Sequence, residues 1–342
     1  MLKYRRAPLS RLLLFVLVTA VSAGVGAQAA DTRILSIPGG GHALGFDDLG
    51  YSGVLNRILV PAAQTGALVL INPSNNALRV LAHVVPPGKG PDRDDAGTTS
   101  ADYGAGLLFA SDHADQAIVA ISPKTGKVLA RAKLMSGPDY VRYVAPLHEV
   151  WVTEPRAKEI QRFSVATGST PGLRDAGSIN IPGGPESLVI DTARGVAYTN
   201  QWKDHTLTIT LKQPHVVSRW PNTCTGSRGL ALAPAQHLLF VGCKEGKIVG
   251  LNLDQGGKVI TSVKVGAGVD IIAWNPHLKH LYAPGAASAT LSVLKLESNN
   301  HLKKIAVVAA AEHSHCVATD GHQTAYVCDP EAGNLIVYHD PG

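Results

Sequence analysis

The sequence predicts an all-β fold: a seven-bladed β-propeller of four-stranded blades whose N-terminal strand closes the last blade. Three observations lead there. A unit of short β-rich runs and turn residues recurs at spacings of about 41 to 56 residues along the chain. Leu35–Leu44 (LSIPGGGHAL) lies without gaps over Ile179–Leu188 (INIPGGPESL), each with a strand before Pro-Gly-Gly and a new one after. The last unit stops after three strands, and one strand is left over at the start. Such a period marks a propeller. Short apolar runs bounded by Gly, Pro, Asn and Asp read as strands, not helices.

The chain of 342 residues begins with a basic segment (Lys3, Arg5, Arg6, Arg11), an apolar run (Leu12–Val21) and a small-x-small pattern at Ala27-Gln28-Ala29. This predicts a signal peptide over residues 1–29 and a periplasmic or secreted protein. The competing reading is a membrane anchor, but the run is shorter than the roughly 20 residues a spanning helix needs. Arg5-Arg6 followed by Ala-Pro matches a twin-arginine signal poorly. The leader holds four of the 31 Lys+Arg and none of the 26 Asp+Glu, so residues 30–342 carry a formal charge near +1. That leaves no basic footprint for nucleic acid. No composition break divides 30–342, which reads as a single domain.

Within the units, related junctions align His42, Thr98, Asp139, Glu186, Arg228, Asp270 and His315. First strands follow them (ESLVID, GLALAP, IIAWNP, CVATD). Second strands precede a polar turn (VAYTN, LLFVG, HLYAP, TAYVC), and third strands alternate (TLTITL, KIVGLNL, TLSVLKL, NLIVYH). A single such sheet is marginal alone, whereas radial stacking covers both faces of each blade. The seventh unit ends with Asn334–His339, and Arg33–Pro38 supplies its missing strand, which removes an exposed edge.

Val196–Asn200 (VAYTN), Leu107–Ala110 and Val150–Thr153 (VWVT) each precede a polar turn and an alternating strand. Thr125-Gly126-Lys127 makes the following turn in the Leu107–Leu134 unit. In these features the chain resembles the YVTN-type (YncE-like) propeller repeat over nearly its whole length after the leader. The resemblance implies the fold and leaves function wide, because relatives include surface-layer proteins, nucleic-acid binders, lactonase-type enzymes and quinoprotein dehydrogenase subunits. The chain departs from the repeat at Asp47–Arg57, read as a long first hairpin loop of blade 1, and at the Pro/Asp-rich insertion Val85–Gly97.

Four cysteines in an exported chain read first as disulfides. Cys316 and Cys328 straddle the Asp320–Gln323 turn, and Cys224 and Cys243 straddle Ala233–Gln236, so each pair faces itself within one blade. The alternative, a metal or redox-active thiol site, lacks a Cys-x-x-Cys.

The aligned junction residues open the first strands, which line the channel, so they should ring its mouth. Two readings follow. In one, His42, Asp139, Glu186, Arg228, Asp270 and His315 hold a small polar ligand, or His42, Asp270 and His315 hold a divalent metal. Imidazole with carboxylate suits zinc, iron, manganese or copper better than calcium. In the other, the mouth is hydrated and Arg228 neutralises Glu186 and Asp270. The turns after the second strands add Asp112 and His113, Glu154 and Arg156, Trp202 and Lys203, Lys244 and Glu245, and Asp329. Of these, His113, Arg156, Trp202 and Lys203 are the candidate rim. Trp151 and Trp274 read as core, and Pro91–Asp95 as a solvated loop or a lid. No Gly-x-Ser-x-Gly, His-Glu-x-x-His or phosphate loop occurs. The sequence thus points to a non-catalytic propeller binding a ligand or protein partner. A metal-assisted lactonase-type hydrolase or a redox-associated propeller using the His42/His315/Asp270 cluster is the alternative.

Overall fold

The structure, a computed structural model, describes residues 31–41, 43–85, 97–168 and 170–342. The expected signal peptide, His42 and Pro91–Asp95 lie outside the described residues. Seven four-stranded antiparallel sheets stand around one axis as the blades of a propeller. The first six follow chain order, from strands Gly50–Ser52 to Leu78–His83 in blade 1 through Ala273–Asn275 to Leu302–Ala309 in blade 6. Blade 7 takes Val317–Thr319, Thr324–Asp329 and Asn334–His339, with Asp31–Ser36 as its outer strand. Its closing ladder runs from Asp31 opposite His339 to Ser36 opposite Asn334.

One expectation is corrected in blade 1. Asp47–Arg57 is not a hairpin loop: it contains the first strand, Gly50–Ser52, which pairs with the start of Arg57–Pro61. The approach to the channel therefore comes about five residues later than the alignment on His42 implied.

Second and third strands are buried along their length, as in Leu107–Asp112 and Ala117–Ile121. Neighbouring blades cover both faces, so the period-two signal fades there, as in any sheet buried on both sides. It survives on outer strands such as His215–Pro221, where exposed and half-buried residues alternate. Apolar layers fill the gaps between blades: Leu59, Leu108 and Val119 between blades 1 and 2, and Phe109, Val150 and Phe163 between 2 and 3. Tyr282, Val293 and Val327 do the same between 6 and 7. Each such side chain contributes roughly 1.5–3 kcal/mol on burial. Trp151 is fully buried, as expected. Trp274 is only half-buried and borders the channel. Its expected core position is thus half right.

In blades 1 to 6 the ladder between third and fourth strands shifts register, as at Leu68/Val69, Thr208/Ile209 and Val293/Leu294. Such bulges sharpen the local twist. The closing ladder of blade 7 runs without a shift. Cys224–Cys243 and Cys316–Cys328 are disulfide-bonded, with Cα atoms 5.4 and 5.5 Å apart. Among the described residues no cysteine is free.

Candidate functional site

The first strands begin beside the ends of the second strands, so their opening residues and the turns after the second strands share one end of the wheel. Glu186 lies opposite Asn200, and Ser227 opposite Cys243. Around the axle, blades are stitched by backbone: the Gly229 N–H donates to the Asp270 carbonyl (3.0 Å) and the Ile271 N–H to the His315 carbonyl (2.9 Å). A Cβ at Gly229 would fall 2.5 Å from the Asp270 oxygen, so only glycine permits this approach. In blade 4 the ladder shifts between Glu186 and Val189, and Ser187 takes a left-handed φ of 64°. The Ser187 hydroxyl accepts the Leu230 N–H at 3.1 Å, tying blade 4 to blade 5.

These contacts bring together Asp139, Glu186, Arg228, Asp270 and His315, each within electrostatic reach of one or more of the others. Blade 1 contributes Asp47 and Asp48, which the sequence reading did not select, while His42 lies outside the described residues. In blade 2, Thr98 is buried and bridges to Ala63 of blade 1. The neighbouring Thr99 hydroxyl meets His113 Nε2 at 2.8 Å.

The mouth is crowded with acid. Asp47, Asp139 and Asp270 keep some surface toward the channel yet are walled in by protein. Burial, followed by repulsion from Glu186, Asp47 and Asp270, holds the Asp139 carboxyl well above the usual range. Burial, then Asp270 and Asp48, does the same to Asp47. Asp47 and Asp139 are thus a neighbouring pair of raised carboxyls. Glu186 is pushed up to about 8 by burial and by Asp270, against the pull of Arg228 and the Trp202 indole. Burial also raises Asp270, but His315, Arg228 and Lys244 oppose it, making it the acid with the most cationic surroundings.

His315 places Nδ1 2.6 Å from the His313 carbonyl and Nε2 2.7 Å from the Phe46 carbonyl. Carbonyls only accept, so this geometry suits an imidazolium donating from both nitrogens. In that state neither nitrogen has a lone pair for the expected metal. Two groups of described residues place possible ligand atoms close enough to share an ion: His315 with Cys316 and Cys328, and Cys224 and Cys243 with Glu245. In both, the sulfurs are bound in disulfides.

At the rim, Trp202 is half exposed and the Arg228 guanidinium lies 5.3 Å from its ring centroid, a cation–π contact. Lys203 and Arg156 are exposed on the adjoining turns, and His113 is half-buried. Asp112 and Glu154, by contrast, are buried. Asp112 pairs with Arg131. Glu154 accepts the Ser136 N–H, and burial above all pushes its carboxyl up to about 7. Glu245 accepts the Thr225 N–H at 2.9 Å, tying the turn after the second strand to the junction before the first, and Asp329 closes its own turn by accepting the Ala332 N–H at 3.2 Å.

One layer deeper, Arg142 of blade 3 reaches past blade 2 to Asp48 of blade 1 with bonds of 2.5 and 2.9 Å. Ser100 donates to the same carboxylate at 2.6 Å and accepts the Val141 N–H at 2.8 Å. Tyr140 is buried, and its hydroxyl feels Asp270, Asp47, Glu186 and Asp139 together. It has no hydrogen-bond partner among the described residues. Alternation along the first strand gave no sign of Tyr140 or Arg142, because both follow the aligned position.

No protein-family profile matches the chain, and no curated protein matches it in sequence. Solved structures match it in fold. A chain of a mitotic checkpoint complex aligns with a TM-score of 0.74 at 14% identity, covering 96% of this chain and 98% of that one. A catalytically inactive variant of virginiamycin B lyase from Staphylococcus aureus, with quinupristin, aligns at 0.68 and 13%, covering 90% and 99%. The hydrazine synthase of Kuenenia stuttgartiensis aligns at 0.68 and 11%, covering 94% and 99%. The seven-bladed architecture is thus shared by proteins with and without catalysis.

Proposed function

We propose that this chain is an exported, soluble propeller of the YVTN type that binds a small, positively charged polar ligand at the channel mouth without chemistry of its own. The carrying observation is the set of four mutually repelling carboxyls, Asp47, Asp139, Glu186 and Asp270, gathered around a buried Tyr140 hydroxyl that lacks a protein acceptor. Arg228, His315 and Lys244 oppose the charge of Glu186 and Asp270, so the unbalanced acid is that of Asp47 and Asp139, and it grows as pH rises and these raised carboxyls ionise. Such a pocket focuses a negative potential and favours a cation. Trp202 offers an aromatic face at the rim. Export is supported by the basic and apolar leader pattern and by the two disulfides. Among the described residues no helix is long and apolar enough to cross a membrane.

Titration calorimetry with putrescine tests this reading. Saturable binding is expected, weakened about tenfold or more in Asp139→Asn and Asp270→Asn, and weaker as pH falls and the acids take up protons. Bound ligand should also release a proton from the Asp47–Asp139 pair, so the measured heat should change with the ionisation heat of the buffer. Absence of binding, or equal binding in both variants, would sink the proposal. Stoichiometric zinc uptake lost in His315→Ala would turn the reading toward the metal site of His42, Asp270 and His315.

A further inference from the structure

At the end of the wheel opposite the acidic mouth, the turns between first and second strands of blades 6 and 7 each carry an exposed histidine, His277 and His322. Their ring centroids lie 5.9 Å apart, edge to face. One buried side chain sets both backbones. Asn275 ends the first strand of blade 6, and its amide nitrogen donates to the His322 carbonyl at 2.7 Å. Its amide oxygen accepts the His277 N–H at 3.0 Å. Asp320 in turn accepts the His322 N–H at 2.8 Å. Both imidazoles thus rise from turns that are already tied in place, on two neighbouring blades.

Elsewhere the histidine rings are held: His237 by Asp254, His280 by Asp340, His313 by Glu331, and His315 by two carbonyls. The rings of His277 and His322 make no hydrogen bond to any described residue and touch only each other's edge and face. A neutral imidazole keeps a lone pair on one nitrogen. A metal ion sits about 2.0–2.1 Å from such a nitrogen, which puts the ring centre roughly 3.2 Å from the ion. Two rings sharing one ion then have centres up to roughly 6.4 Å apart, and the observed 5.9 Å lies within that reach. Both rings are exposed, so side-chain rotation can point a nitrogen of each at the same ion. No third His, Cys, Asp or Glu among the described residues joins the pair.

We infer that His277 and His322 form a two-imidazole site for a divalent transition metal, copper(II) in preference to nickel(II) or zinc(II). Water fills the remaining positions. Imidazole suits these three ions, and copper(II) binds nitrogen donors the most tightly of them. Calcium and magnesium take oxygen ligands, which this pair does not offer. The inference does not depend on the cation-binding reading, because Asp270 and His315 open first strands at the other end of the wheel.

Copper(II) added to the untagged, metal-free protein, with glycine as competitor and electron paramagnetic resonance as readout, tests this. One tight ion per chain is expected, its spectrum split by two imidazole nitrogens, with zinc(II) held at least about tenfold more weakly. His277→Ala and His322→Ala should each weaken copper about tenfold or more, and the double variant should lose the tight site. Both positions are exposed, so melting temperatures should not move. His148→Ala/His237→Ala removes histidines from the corresponding turns of blades 3 and 5 and should leave the tight site intact, as should His315→Ala. Putrescine binding should be unchanged in His277→Ala/His322→Ala, so the two sites can fail separately. The inference is overturned if no tight copper is taken up, if it survives the His277/His322 double variant, or if the His148/His237 or His315 variants remove it equally.

Discussion

Arg142 and Asp48, 94 residues apart in sequence, are joined by two hydrogen bonds that reach past blade 2, tying blade 3 to blade 1. Removing one partner leaves a buried charge alone, which typically costs about 3–5 kcal/mol. Arg142→Met should therefore lower the urea midpoint by that equivalent. The double variant Asp48→Leu/Arg142→Met should recover most of the loss, because neither charge is then stranded.

Two carboxyls make stability fall as pH rises. Glu154 is raised to about 7 and Glu186 to about 8, both mainly by burial. In the unfolded chain each titrates near 4.3. The folded state therefore binds more protons in between, so this contribution is fully present below about pH 4 and is lost as pH climbs through 7 and 8. Melting temperature should decline from pH 5 to 9. Glu154→Gln and Glu186→Gln should each flatten that decline, and an unchanged slope would contradict the assignment.

Both disulfides close short loops, with sequence separations of 19 and 12. Chain-entropy arguments give roughly 3 kcal/mol for each. Replacing Cys316 and Cys328 by serine should lower the melting temperature measurably, and the Cys224/Cys243 pair should do so to a similar extent. Mapping of the exported protein should find no free thiol at the four positions.

Ser187 holds a left-handed φ and bonds Leu230 across the blade boundary. Ser187→Val adds a β-branched side chain to that strained backbone and loses the bond, at a cost of roughly 1–3 kcal/mol. Ser187→Gly relieves the backbone and loses only the bond, so thermal melts should rank it between wild type and valine.

Deleting residues 31–36 uncovers the whole of Asn334–His339 as an edge. Open edges pair with other chains. Light scattering should then report concentration-dependent self-association that the intact chain lacks.

The period of the sequence made the wheel legible, along with its closure and both cysteine pairs, since each depends on local strand and turn chemistry repeated at fixed distance. Asp139, Glu186, Arg228, Asp270 and His315 came together because each opens a first strand. Asp47 and Asp48 were hidden by an irregular blade 1, where Gly50–Ser52 is too short and polar to register as a strand. Tyr140 and Arg142 were hidden for a different reason. Their importance comes from groups on other blades, Asp48 two blades from Arg142 and the acids around Tyr140, and no periodicity encodes a contact between blades that are not neighbours.

The closing ladder sets Asp31 beside His339, so the two ends of the folded chain emerge side by side from the same end of one strand pair. A load applied between the termini would peel this pair like a zipper, breaking one rung at a time, because the bonds lie perpendicular to the strands and share no force. The wheel thus yields to such tension at its own seam, whereas a pull on opposite ends of an antiparallel pair would have to shear every rung at once.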